Sequence, residues 1–165
     1  LELKDTEVNA AIRLANQKEF GVLSSSFLSK SVGLLNPKKP LCVNESDTLA
    51  SVLDTLQKHS IGSVLIVDST GKLTGIFTER DSLLKVAGGN IDYKTTRISD
   101  LMTKNPQAQK LDSTIAFALN LMSLGGFRHI PIVDDDHMPI GIISVKDIVD
   151  FIVNKMNEDL LNLAL

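Results

Sequence analysis

The chain has 165 residues, 43% of them hydrophobic and 22% charged, with a formal net charge of -3, one Tyr and no Trp. Such a chain buries a core without a metal or disulfide staple, which excludes disordered and fibrous classes. The missing basic stripe and stacking platform argue against nucleic acid, and no apolar run reaches the roughly 18 residues that span a bilayer.

Residues 1–30 begin with apolar positions at helical spacing, Val8, Ala11, Ile12 and Ala15, ahead of Ser24-Ser25-Ser26. They predict a helical flank that covers one end of the remaining chain. Leu1 in place of an initiating Met reads as a trimmed start, so a targeting segment stays open. The lone Cys42 cannot form an internal disulfide, which fits a reducing, cytoplasmic setting or no redox role at all.

From Ser31 the chain repeats itself. A shift of 66 residues lays Ser31–Asp81 on Arg97–Asp147 without a gap. Pro40 meets Pro106, Thr48 meets Thr114, and Ile66-Val67-Asp68 meets Ile132-Val133-Asp134. Gly75-Ile76 then meets Gly141-Ile142, and Asp81 meets Asp147. In each copy Asp47 or Ser113 is the candidate N-cap of a helix carrying Leu49, Val52, Leu53 and Leu56, or Ile115, Ala118, Leu119 and Met122. Gly62 and Gly125-Gly126 are the expected stops. β-Branched strands come next at Val64–Val67 and Ile130–Val133, then Leu73–Phe77 and Ile140–Ile143. Asp68-Ser69-Thr70-Gly71 reads as the hairpin turn of the first copy, and Asp134-Asp135-Asp136 as its counterpart rather than an acidic metal site. A second helix starts near Thr78 or Ser144. Each copy is therefore strand–helix–strand–strand–helix with a three-stranded sheet, and two such marginal units should pack sheet to sheet.

The expected organisation is a flank at 1–30, repeats at 31–87 and 97–153 joined by a linker at 88–96, and a helical extension at 154–165. The tail carries Ile148, Ile152, Met156, Leu160 and Leu163 at helical spacing, a face for the N-terminal helix or a second subunit.

Catalytic chemistry is missing from the pattern. His59, His129 and His137 have no metal-ligand spacing, and neither Gly-x-x-x-x-Gly-Lys nor Gly-x-Gly-x-x-Gly occurs. No catalytic or metal-ligating residue is assigned, and the chain reads as a non-enzyme.

What remains is a motif present twice, Gly75–Asp81 and Gly141–Asp147: glycine, two apolar residues, Thr78 or Ser144, and a basic residue (Arg80 or Lys146) before the Asp. With the Val-Asp strand ends and the repeat register, it resembles the CBS repeat, and the pair resembles the tandem CBS module. The resemblance implies an α+β fold of two βαββα repeats packed sheet to sheet as one pseudo-symmetric module. It also implies a cleft for AMP, ADP, ATP, S-adenosylmethionine or NAD-type ligands, with Asp81 accepting from the ribose hydroxyls. A carboxylate suits a vicinal diol, and a helix start with a hydroxyl suits phosphate. Capping alone would equally explain Thr78, Ser144 and the two Asp.

The resemblance also implies an unequal pair of sites. Around Asp81 it places Gly62 and Ser63 beside the base, Val64 and Ile76 as apolar walls, Thr78 and Arg80 at the helix start, and Arg128 with His129 as phosphate charge. The second, weaker site holds Ser144, Lys146 and Asp147, with bulky Arg128-His129 at its base slot, no basic pair opposite, and Asp47 repelling phosphate. Two functions stay open: an adenine-nucleotide-responsive regulatory module acting through a homodimer or an attached enzyme or transporter, and a ligand-free dimerisation scaffold.

Overall fold

The computed structural model describes residues 25–163. The Val8–Ala15 stripe and the side chains of Leu160 and Leu163 lie outside the described residues. Both expected amphipathic helices form. Helix α2 (Leu49–His59) follows a short α1 (Ser25–Leu28), and α4 (Ile115–Gly125) is its counterpart. Their apolar stripes, Leu49, Val52 and Leu56 and then Ile115, Ala118 and Met122, are buried. The caps fall one residue later than expected. Thr48 and Thr114 hydroxyls accept from the amides of Ser51 and Phe117. Asp47 and Ser113 instead accept from the amides of Asn44 and Lys110, closing the turn that precedes each helix. The first helix ends not at Gly62 but at Ser60, whose φ of 51° matches the 65° of its repeat partner Gly126. A left-handed residue there satisfies the last carbonyls.

Strands β1 (Cys42–Asn44), β2 (Ser63–Val67), β3 (Leu73–Thr78) and β4 (Thr103–Lys104) form one sheet in that order. Strand β1 runs parallel to β2, and the other pairings are antiparallel. In the second sheet β5 (His129–Val133) pairs with β6 (Pro139–Ser144), and single bridges join Gln109 to Ile132 and Lys38 to Ile142. Subtracting 66 turns Gln109 into Val43 and Lys104 into Lys38, so the two sheets share one plan. The expected three-stranded sheets are thus each extended by a strand or bridge from the leading segment of the other repeat.

This exchange carries side chains with it. Val32 and Ile98 donate amide hydrogens to the carbonyls of Ser113 and Asp47, each at 2.8 Å. Val32, fully buried, packs in the second repeat's core with Ile115, Ile130 and Ile143. Ile98, equally buried, packs in the first repeat's core with Leu49, Val52 and Phe77. The two sheets meet through Leu65, Leu73, Ile76 and Val133, with Ala108 and Ile142 beside them. The hairpin turns hold as expected: Asp68 Oδ1 accepts from Thr70 and Lys72, and Asp134 Oδ1 from Asp136 and Met138. Helix α5 (Val145–Leu163) buries Ile148, while Met156 is half exposed.

The motif glycines mark the crossings. A Cβ at Gly141 would lie 2.7 Å from Pro37 Cβ, on the leading segment that Lys38 anchors to β6. A proline ring cannot swing aside as a long side chain does. Gly141→Ala is therefore expected to destabilise the chain by about 1–3 kcal/mol, the usual cost of overpacking. Urea unfolding checks this, and an unchanged midpoint would show that the crossing is loose.

Candidate functional site

Strand β3 ends at Thr78, which caps the short α3 (Glu79–Asp81), continued by a π-helical turn at Ser82–Val86. The Thr78 hydroxyl accepts from the Asp81 amide, and Asp81 Oδ2 accepts from the Thr78 amide at 3.0 Å and hydroxyl at 2.7 Å. Ser144 and Asp147 repeat this box at the start of α5, with Asp147 Oδ2 2.7 Å from the Ser144 amide. Such reciprocal capping fixes each carboxylate's orientation, and it leaves one oxygen per carboxylate for other partners. Asp81 Oδ1 takes the Lys85 ammonium at 2.7 Å and the Thr103 hydroxyl at 3.3 Å. Asp147 Oδ1 takes the Lys38 ammonium at 3.0 Å. Burial pushes both carboxyls up, but these hydrogen bonds and the lysines outweigh it and hold each below the usual 3.8. Both are anions at neutral pH.

Each carboxylate faces its own cleft between the repeats. The Asp81 cleft, about 440 Å³, brings together Gly62, Ile76, Thr78, Arg80, Arg128 and His129, six of the residues expected around Asp81. Two expected neighbours are elsewhere. Val64 is fully buried in the helix-facing core with Leu49 and Phe77, because successive strand residues point to opposite faces. Ser63 lines the Asp147 cleft. Within the Asp81 cleft the Arg80 guanidinium donates to the Gly126 carbonyl at 2.9 Å, tying α3 to the end of α4. The exposed Arg128 guanidinium has no hydrogen bond or ion pair among the described residues.

The second cleft, about 360 Å³, joins Ser144, Lys146 and Asp147 as expected. Its charge is not as expected. Lys38 and Lys39 line it, whereas Asp47 does not. The exchange delivers both lysines, and sequence reasoning that kept each leading segment with its own repeat missed them. Thr103, Asn105 and Pro106 enter the Asp81 cleft by the same route. No local signal in the sequence marks this crossing, because the Pro40/Pro106 identity is the same whichever repeat the segment packs on.

His129 and Gly62 line both clefts. His129 was expected to add phosphate charge, and its surroundings work against that charge. Burial, then the Arg128 guanidinium, pushes its imidazole below the ordinary 6.5, although Asp147 and Glu79 pull the other way. The neutral imidazole is the favoured form. Among the described residues no cluster of His, Cys, Asp or Glu could hold a metal. No helix among them is long and apolar enough to cross a membrane.

Comparison with known proteins agrees with this geometry. The family model described as CBS domain matches residues 34–81 and 98–154. Inosine-5'-monophosphate dehydrogenase of Methanocaldococcus jannaschii is 36% identical over 68% of this chain, which spans only 21% of that enzyme. A CBS-domain-containing protein of Agrobacterium tumefaciens is 32% identical, with a TM-score of 0.66 over 73% of this chain and 97% of its own. A CBS domain pair solved with 5'-methylthioadenosine and S-adenosyl-L-methionine is 28% identical, with a TM-score of 0.68 over 76% of this chain and 97% of its own.

A depressed histidine pKa has a stability consequence. Below pH 6.5 the unfolded chain binds a proton that folded His129 resists, so its contribution is full above that pH and lost as pH falls towards the folded value. Between pH 7 and about 5, His129→Gln is expected to flatten part of the fall in unfolding free energy. Urea melts at both pH values, with an NMR titration of the imidazole, check the sign.

Proposed function

We propose, on the premise that this chain belongs to the CBS-domain family, that it is a regulatory module whose main site is the Asp81 cleft, taking an adenosyl ligand. The observation that carries this is the pairing of Asp81 and Arg128 across one cleft, one from each repeat. A ribose diol supplies two donors, and Asp81 Oδ1 is open to them once Lys85 moves. Lys85 is the more exposed partner of that ion pair, and its ammonium keeps the Leu101 carbonyl at 2.8 Å when it moves. The free Arg128 fork is suited to a phosphate on the same ligand. Ile76 supplies an apolar wall for the base. The solved pair at 28% identity holds 5'-methylthioadenosine and S-adenosylmethionine, which share the adenosyl group. AMP is the phosphorylated form this cleft fits; S-adenosylmethionine and NAD have less use for Arg128.

A ligand gripped from both repeats stiffens the cleft, and it can bias a partner only by binding one arrangement better than another. The surface for that partner is a second copy of the chain. Val149, Val153 and Met156 recur along α5 and stay about half exposed, and Leu83 and Leu84 add an exposed apolar pair on the π-helical turn. An attached enzyme or transporter would read the same change. The module itself carries no catalysis.

Two measurements test this. Asp81→Ala should weaken AMP binding about 10- to 100-fold by isothermal titration, the worth of hydrogen bonds to a charged acceptor, while Asp147→Ala keeps most of it. If Asp147→Ala is the damaging change, the main site is misplaced. If AMP, S-adenosylmethionine and NAD all leave the melting temperature unmoved, the scaffold reading replaces the nucleotide one. Light scattering at micromolar concentration should give a dimer mass, and a monomer would remove the self-association.

A further inference from the structure

A π-helical turn is a rare departure from α-helical bonding, so something must hold the one at Ser82–Val86. It is closed by the Ala87 amide, which donates to the Ser82 carbonyl five residues back at 3.1 Å. A shift of 66 residues lays this stretch on residues 148–152, where α5 stays α-helical. The two stretches differ where they touch the rest of the chain. Ile148, 1% exposed, anchors α5 in the second core, and Phe151 stacks on Phe27 at 5.7 Å. Their counterparts are Ser82 and Lys85. The first repeat takes its buried anchor later, at Val86, which packs with Leu49 and Phe77. Lys85 ties the turn back to the carboxylate that precedes it. Its ammonium reaches Asp81 Oδ1 at 2.7 Å, the Leu101 carbonyl at 2.8 Å and the Thr103 hydroxyl at 3.4 Å. Downstream, Gly88 has a φ of 82° and open space where a Cβ would stand, so a change of register there meets no packed neighbour.

We propose that Lys85 is a built-in competitor for Asp81 Oδ1, and that a ligand taking this oxygen frees the π-helical turn to tighten. This rests on the adenosyl reading above and adds how occupancy leaves the cleft. Oδ1 accepts from Lys85 and from the Thr103 hydroxyl, and Oδ2 from the Thr78 amide and hydroxyl. A carboxylate offers roughly four lone-pair sites, so all are in use. The Thr78 donors build the capping box and stay. A diol with two donors must therefore clear Oδ1, Lys85 included. Once the ammonium leaves, nothing ties the turn to Asp81, and ordinary i→i+4 bonding becomes available. Tightening re-aims Leu83 and Leu84, which are 71% and 73% exposed, and Gly88 takes up the slack. The Asp147 cleft has no such device. The cation on Asp147 is Lys38, from a distant segment, so its departure leaves α5 as it was.

The test uses the full chain with adenosine, which carries the diol without phosphate charge, and 2'-deoxyadenosine as control. By isothermal titration, Lys85→Met should tighten adenosine about threefold, the effect of removing one competing ion pair, and leave 2'-deoxyadenosine unchanged. Methyl NMR reads the turn. Leu83 lies outside the cleft lining, whereas Leu84 belongs to it, so the Leu83 methyls report the turn rather than ligand contact. In the ligand-free chain, Lys85→Met should move them towards the positions that adenosine induces in wild type. Adenosine binding that is weakened or unchanged by Lys85→Met, or Leu83 methyls that stay in place, overturns the proposal while wild-type binding leaves the adenosyl reading standing. If adenosine, AMP and S-adenosylmethionine bind neither wild type nor variant, both fall together.

Discussion

The structure depends on one constraint: neither repeat can close its own core. Val32 completes the core of the second repeat and Ile98 that of the first, each carried by the segment that leads into the opposite half. Removing either would open a hole beneath a fully buried helix face, so the halves are locked by interior packing as well as by the sheet-to-sheet contact. The same crossing explains the motif glycines, which leave room where a foreign strand passes. It also explains why both clefts are composite, since every crossing segment continues along a cleft wall. Fold and site have one cause.

Much of this is legible in the amino-acid sequence. The 66-residue register, the apolar stripes of α2 and α4, the hairpin turns and the closing Thr/Ser-x-x-Asp boxes are all local signals, and local signals survive in sequence. The exchange is not local. A repeat alignment scores the same whether Ile98 packs on its own copy or on the other, so the lysines it carries into the Asp147 cleft were invisible. Val64 was a different miss. Once Ser63 faces a cleft, strand alternation sends Val64 to the core, and that rule needs no coordinates. The cap shift was a close contest, since Asp, Ser and Thr all cap well. The state of His129 was unreadable because its burial arises only when the halves meet.

The pattern of divergence between the repeats has a physical logic. The carboxylates and their capping hydroxyls fix a helix start and a turn, so changing them disturbs the backbone. Glu79, Lys39 and Arg128 stand at solvent-facing positions whose backbone geometry needs no particular side chain, unlike Asn105, whose φ of 47° is left-handed. Substitutions there cost the fold little and alter the potential inside a cleft strongly, because low-dielectric walls concentrate the field. A duplicated scaffold can thus differentiate its two sites without renegotiating how it folds.

The shared wall has a further consequence. His129 and Gly62 belong to both clefts, so an occupant that shifts the imidazole in one reshapes the other. Any resulting change in affinity must be reciprocal: the first ligand alters the second's affinity by the same factor as the second alters the first's. The imidazole also exchanges protons, so an anion held in either cleft would favour its charged form and link binding to proton uptake.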